Sequence, residues 1–289
     1  MKVLRTPAEV HRLREQLRRE SVTVGLVPTM GYLHEGHNSL LKAARAENDR
    51  VVMSLFVNPA QFRADEDLGT YPRDEERDLG IAEDSGVDYV YAPDPDDIYP
   101  PGFATRVEVR GLTEVLCGSE TSRGPEHFAG VTTIVSKLLN AVDPDVAYFG
   151  QKDAQQATVI RRMAEDLEFR TRIEILPTVR ERDGLAMSSR NAHLSPESRE
   201  RATEIWAALL ETEQVFHEQD LEAALEAGRR HLESVGISPE YFEARYPGTL
   251  DPADGDGSDP VLVAVAAKID GTRLIDNILI EPSKTRKAL

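Results

Sequence analysis

Cysteine is almost missing: the 289-residue chain has one, Cys117, so it can form no intramolecular disulfide, which fits a reducing compartment. Long apolar runs are missing too. The longest, Val261 to Ala267, is far short of the roughly 20 residues of a spanning helix, and the opening MKVLRTPAEV has no apolar core of signal-peptide type. Positive charge is in deficit, with 34 Lys and Arg against 51 Asp and Glu, a formal charge of −17 and a sequence pI near 4.9. That balance argues against nucleic-acid wrapping or a basic membrane face, and the expected location is cytoplasmic. Lysine is scarce, 7 against 27 arginines, and the acidic excess is scattered along the chain. This fits either a surface suited to high salt, where ions screen self-repulsion, or an ordinary acidic enzyme.

What is present is ample core material, 40% hydrophobic residues, which at roughly 150 residues per domain makes about two domains. Thr6, Pro7 and Glu9 form a helix start, followed by Val10, Leu13 and Leu17 at helical spacing up to about Glu20. Strand candidates are Ser21–Val27, stopping at Pro28, then Val51–Val57, Val87–Tyr91, Val146–Phe149 and Arg172–Leu176. Helical patterns lie between them at Gly36–Glu47, Asp74–Ser85, Ala129–Ala141 and Ala154–Leu167. Such alternation predicts a doubly wound α/β fold on a parallel sheet. Two long stretches, Asn58–Tyr71 and Ala92–Arg123, interrupt it, and loops of this length usually carry function or disorder. Beyond a boundary near residues 177–195, a long amphipathic helix after Pro196, capped at Ser195 or its neighbour, leads to a second helix. Strands Tyr241–Arg245, Val261–Lys268 and Thr272–Ile280 follow, split by the acidic loop tract DPADGDGSDP, and together predict a smaller α+β domain.

Four motifs carry chemistry. In VPTMGYLHEGHNSLL, residues 27–41, a strand ends and a turn with Gly31 delivers His34 and His37 to a helix entrance, where α/β sheets bind anions. Three residues apart, both imidazoles can face one ligand and donate to phosphate oxygens. HEGH is one residue short of the H-E-x-x-H zinc spacing and has no third ligand nearby, so no metal site is expected. Nucleotide chemistry and an everyday surface or core histidine are evenly matched on this motif alone.

YFGQKDAQQ, residues 148–156, again joins a strand to a helix: Gly150 admits close backbone approach, Lys152 offers charge for phosphate, Asp153 can cap the helix, and Gln156 faces the same crevice. A solvated helix start is the commoner meaning of such a Lys–Asp pair, and no P-loop sequence occurs. RERDGLAMSSRNAHLS, residues 180–195, puts Ser188, Ser189 and Arg190 on a lid-like segment suited to triphosphate; standing alone it favours a flexible interdomain linker, which would leave Met187 unexplained. In SLFVNPAQF, residues 54–62, Asn58 and Gln61 are neutral donors and acceptors suited to a hydroxy acid, with Asn-Pro turn chemistry competing most strongly for Asn58.

Taken in order, PTMGYLHEGH, LFVNPAQF, HFAGVTTIVSKLLN, YFGQKDAQQ, DGLAMSSRN and the closing VAAKIDGTRLIDN resemble the pantothenate synthetase family over essentially the whole chain. The resemblance implies a Rossmann-like, nucleotidylyltransferase-type sheet in residues 1–178 binding ATP and pantoate, with an α+β lid domain in 179–289. It implies an ATP-dependent, Mg2+-using ligase in which pantoate carboxylate attacks the α-phosphate, releasing pyrophosphate, and β-alanine then displaces AMP from pantoyl adenylate. Carried onto matching positions, His37, His34 and Lys152 would be catalytic. Met30, Gly150, Asp153, Val179, Met187, Ser188, Ser189 and Arg190 would join them around ATP, and Pro28, Met30, Gln61 and Gln156 would bind pantoate. No acyl-enzyme is implied, so Cys117 and the serines are not nucleophiles. A homodimer is implied, as is closure of loops 58–71 and 112–126 over the site. The family's Arg-Pro-Gly-His-Phe stretch is one residue longer here, Arg123 to Phe128, so Arg123 and His127 are not carried over; Gln151 and Tyr32 also depart from the usual pattern. Two rivals remain at this point: an adenylyltransferase that stops after the first step, and a noncatalytic nucleotide-binding protein.

Overall fold

A computed structural model of the chain describes residues 1–63, 68–255 and 259–281; residues 64–67 of the first expected closing loop and 256–258 of the acidic tract lie outside the described residues. In the N-terminal part the elements run β1 (Lys2–Leu4), α1 (Pro7–Glu20), β2 (Val24–Thr29), α2 (Glu35–Glu47), β3 (Arg50–Leu55), α3 (Glu75–Asp84), β4 (Tyr89–Tyr91), α4 (Pro95–Ile98), α5 (Pro125–Val142), β5 (Val146–Gly150), α6 (Ala154–Asp166) and β6 (Arg172–Leu176). The capping box that starts α1 is formed as expected: Thr6 Oγ1 accepts from the Glu9 N–H, and the Glu9 carboxylate accepts from the Thr6 N–H. Val10, Leu13 and Leu17 are buried beneath it.

The six strands form one parallel sheet in the order β1-β4-β3-β2-β5-β6. Adjacent residues feed opposite faces. Leu26 and Val52 join the core under α1, α5 and α6, while Val27, Val51 and Met53 join the core under α2. The chain winds outward from β2 through β3 to β4, then crosses back to lay β5 on the other side of β2. The crevice beyond the carboxyl ends of β2 and β5 is therefore the switch point where open α/β sheets bind ligands.

Several boundaries differ from the sequence reading. Strand β1 has too few residues for a pattern to be visible. Strand β2 begins three residues later than expected and runs through Pro28 to Thr29, because odd residues of β2 bond to β3 while even ones face β5. The Thr23 and Thr29 carbonyls accept from Arg50 and Phe56, whereas the Val24 carbonyl accepts from Asp145. The missing N–H of Pro28 points to the β5 side, where pairing ends at Leu26, so no ladder bond is lost. Helix α5 starts at Pro125, not Ala129, with proline at its first position, where no N–H is needed.

The C-terminal part contains α7 (Pro196–Ala202), α8 (Glu204–Glu218), α9 (Leu221–Ser234), β7 (Pro239–Arg245), β8 (Val261–Ile269) and β9 (Thr272–Ile280), the strands forming an antiparallel sheet β7-β8-β9. Ser195 caps α7 by accepting from the Ser198 N–H. The single long helix expected here is interrupted at Thr203, whose hydroxyl turns back to the Glu200 carbonyl. Leu209, Leu232, Val263, Val265 and Ile280 belong to a core of its own. Among the described residues no helix is long and apolar enough to cross a membrane.

Candidate active site

The turn after β2 is built before it is functional. Gly31 and Tyr32 both have left-handed backbones, φ 87° and 52°, and a side chain on Gly31 would sit 2.8 Å from Leu55 Cδ1 and 2.9 Å from Asp78 Oδ2. Asp78, buried on α3, locks the turn by accepting from the Tyr32 and Leu33 N–H groups, both at 2.7 Å. This places His34 at the cap of α2. Its Nδ1 accepts from the Gly36 N–H at 3.1 Å, and His37 Nδ1 accepts from the His34 N–H at 3.3 Å.

With both Nδ1 atoms accepting, each neutral ring carries its proton on Nε2. The rings lie 4.1 Å apart. Desolvation, with the positive charge of Lys152 adding to it, pushes the His34 pKa down to about 4; desolvation and the neighbouring His34 push His37 down to about 3. The pair is thus two neutral donors at a helix N-terminus, where backbone amides and dipole already favour an anion.

Across the crevice β5 ends at Gly150, and a 3-10 turn, Gln151–Asp153, leads into α6. The Lys152 Nζ lies 3.6 Å from Asp153 Oδ1. Asp153 stands at the cap position of α6 but makes no side-chain cap bond, contrary to the sequence reading; the preceding 3-10 turn takes the place of a conventional cap, and its carboxylate instead faces Lys152. The third wall is the segment Val179–Arg190. Met187 donates its N–H to the Val179 carbonyl, closing a hairpin, and Ser188 caps a second 3-10 turn, accepting from the Arg190 N–H. Ser189 is buried against the Tyr71 hydroxyl, and the Arg190 guanidinium lies over the Tyr71 ring. Thr178 Oγ1, next to Val179 in the same wall, is buried with no hydrogen-bond partner among the described residues.

The fourth wall shows why amides stand there. Asn58 is 1% exposed and fully engaged: its Nδ2 donates to the Gly130 carbonyl and to Gln61 Oε1, and its Oδ1 accepts from the Ala60 N–H and the Tyr99 hydroxyl. It is a turn-former that aims Gln61, leaving Gln61 Nε2 toward Met30 Sδ at 3.1 Å. Gly130 is required on α5, because a Cβ there would lie 2.2 Å from the Ala60 carbonyl oxygen.

One pocket is lined by Pro28, Met30, His34 and His37; Asn58 and Gln61; Gly150, Lys152, Asp153 and Gln156; Val179 and Met187 to Arg190. Arg123 and His127, which sequence matching set aside, line it as well. Between them the chain turns at Gly124, φ 76°, immediately before Pro125 opens α5. His127 Nδ1 donates to the Gln61 carbonyl at 2.7 Å, and burial holds its pKa down at about 3. The signal was there in the His-Phe pair at the start of the apolar helix. A second cavity opens behind Lys152 and Gln156, bounded by Cys117, Arg123, Tyr241 and Arg273.

Cations and neutral donors on three sides, with a helix N-terminus at the base, suit a polyphosphate; an apolar patch at Pro28 and Met30 beside two glutamines suits a small branched polar molecule. Among the described residues no cluster of three His, Cys, Asp or Glu side chains could hold a metal ion by itself.

The sequence model described as pantoate-beta-alanine ligase matches residues 2–279. A relative named pantothenate synthetase, from Moorella thermoacetica, is 50% identical over 286 residues, covering 97% of this chain and 99% of its own. The solved pantothenate synthetase of Thermus thermophilus superposes with a TM-score of 0.90 at 45% identity, covering 98% of this chain and all of that one. The pantoate-beta-alanine ligase of Francisella tularensis, solved in complex with beta-gamma ATP and beta-alanine, gives 0.81 at 34% identity over 98% of this chain.

Proposed function

The chain belongs to the pantoate–β-alanine ligase family, and we propose that it condenses (R)-pantoate with β-alanine through a pantoyl adenylate at the pocket between β2 and β5. It is an ATP-dependent ligase with a nucleotidylyltransferase-type fold. The observation that carries the residue assignment is the pair of neutral histidines at the start of α2, facing Lys152 and the Ser188–Arg190 turn across one pocket.

In the first step a pantoate carboxylate oxygen attacks the α-phosphorus and the α–β bridging bond breaks, its electrons leaving with pyrophosphate. His37 and His34 donate Nε2–H bonds to phosphate oxygens as charge builds there, and Lys152 supplies a full positive charge. Being neutral beforehand, the imidazoles lose no proton on binding. Ser188, Ser189 and Arg190 hold the triphosphate, Gly150 and Asp153 the ribose side, and Val179 and Met187 the adenine. Pantoate lies with its dimethyl carbon against Pro28 and Met30 and its hydroxyls and carboxylate toward Gln61 and Gln156. In the second step the unprotonated β-alanine amine adds to the acyl carbon, AMP leaves with the electrons of the acyl–oxygen bond, and the extra amine proton is released. No acyl-enzyme forms.

Mg2+ would travel with the triphosphate and neutralise its oxygens; among the described residues of the pocket Asp153 is the carboxylate that would stand beside it, the cation taking most of its ligands from phosphate and water. In this reading residues 1–178 bind ATP and pantoate, residues 179–289 form the lid, and the enzyme works as a cytoplasmic homodimer. Light scattering of the purified chain reads its mass.

The test of the reaction is AMP and pyrophosphate release from MgATP with (R)-pantoate, with and without β-alanine. Sustained AMP formation that requires both acceptors is expected. Pyrophosphate without AMP would make the protein an adenylyltransferase, and no turnover would leave a nucleotide-binding protein.

A further inference from the structure

The 3-10 turn that carries Lys152 has no side-chain cap of its own, and neither has the start of α6. Its orientation comes from the other end of the chain. Asn277 on β9 is 5% exposed, and its Nδ2 donates to two consecutive carbonyls, those of Gln151 and Lys152, both at 2.9 Å, while its Oδ1 accepts from Gln151 Nε2 at 3.2 Å. Fixing both carbonyls fixes the peptide planes on either side of the Lys152 Cα, and hence the direction in which the lysine leaves the backbone.

Asn277 is itself held on both flanks. Its backbone N–H donates to Asp276 Oδ1 at 2.8 Å, and its carbonyl accepts from Arg180 Nη2 at 3.3 Å. Asp276 in turn takes a two-point contact from Arg180, at 2.6 and 3.0 Å, and Arg180 belongs to the hairpin that carries Val179 and Met187. Charge-assisted, two-point contacts of this kind set orientation more strictly than single bonds. We propose that Asn277 is a positioning residue for the reaction, acting through Lys152.

The proposal rests on the reading of Lys152 as a phosphate-binding cation, and its test separates the two. The variants are Lys152→Ala, Asn277→Asp and the double mutant, assayed for pyrophosphate release with MgATP varied at saturating pantoate and with pantoate varied at saturating MgATP. N277D keeps the shape of the side chain but turns the donor into an acceptor facing two carbonyls. Moving a catalytic cation by about 1 Å is worth roughly 100-fold, so kcat for the N277D enzyme is expected to fall about 10- to 100-fold, with KM for pantoate within about two-fold of the parent. In the K152A background the same substitution is expected to change kcat by less than about two-fold, because the group it positions is gone.

Full kcat in N277D, or losses that multiply in the double mutant, would overturn the proposal. A K152A enzyme with parental turnover would instead overturn the reading of Lys152 beneath it. Should N277D fail to fold by near-ultraviolet circular dichroism, N277A goes through the same cycle; if that also fails to fold, Asn277 serves the fold and not the site, and the proposal falls.

Discussion

Gly36 separates the fold from the chemistry at a single hydrogen atom. It lies in the first turn of α2 with an ordinary helical backbone, so alanine there is conformationally acceptable and should favour the helix by about 1 kcal/mol. The new methyl, however, would stand 2.8 Å from His34 Cε1 and 2.9 Å from Nδ1. To reach ordinary contact at 3.4 Å the ring must retreat by about 0.6 Å, and the bond from the Gly36 N–H to Nδ1 stretches from 3.1 Å toward breaking. Losing that cap gives back about 1 kcal/mol, so the two effects on stability nearly cancel and Tm should stay within about 2–4 °C of the parent. Activity should not cancel. A catalytic donor displaced by this much is expected to lower kcat for adenylate formation by about 10- to 100-fold. Circular dichroism melts and pyrophosphate release on the same preparation of Gly36→Ala give both numbers. In an H34A background the methyl has nothing to push, and adding G36A should change kcat by less than about two-fold. Parental kcat in G36A, or a collapse of Tm, would refute the reasoning.

Other consequences are equally direct. His127 is buried and neutral with its pKa near 3, well below the ordinary 6.5, so the unfolded chain binds a proton that the folded one refuses. Stability from this group therefore falls as pH drops below 6.5, by about 2 kcal/mol at pH 5, and urea titrations should show a flatter acid limb in His127→Gln. His231 has the opposite sign: burial opposes its charge, but the carboxylates of Glu204 and Glu211, each 2.7 Å away, outweigh this and raise its pKa. Its contribution is full below the unfolded value and fades as pH rises through the folded one, so H231Q should lower Tm more at pH 6 than at pH 9. Gly130→Ala drives a methyl into the Ala60 carbonyl and should lower both Tm and pantoate affinity, measured by melting and by KM. Screening the −17 charge should raise Tm between low and molar KCl; an unchanged Tm would deny the acidic surface any role in salt tolerance.

The alternation of strands and helices was legible because buried parallel strands read as apolar runs and the helices between them carry clear caps and faces. The sheet order was not, since nothing local in β2 says that β5 returns to its free side. Pro28 misled the strand boundary because a proline normally ends a ladder, and only the half-paired position beside β5 excuses it. At the site the motifs named the residues that line the pocket, but not how they are held there. Asp78, Gly130 and Asn277 act on it from distant parts of the chain, and most of what they meet there is backbone, which leaves no mark in a motif. Arg123 and His127 were set aside because of one extra residue between them, although both line the pocket.

The sheet is unevenly laced. Strands β2 and β3 share six paired positions and β5 and β6 share five, yet β2 and β5 share only two, at Gly25–Val146 and Leu26–Ala147. The two half-sheets meet at a short seam, and the pocket lies just past its open end. Anything bound there touches β2 and α2 on one bank and Gly150 and Lys152 on the other, so it acts as a suture across the weakest line of the sheet. Nucleotide should therefore slow amide exchange at Leu26 and Ala147, which it never touches, and a chain pulled across the sheet should part along this seam first when empty and elsewhere when loaded.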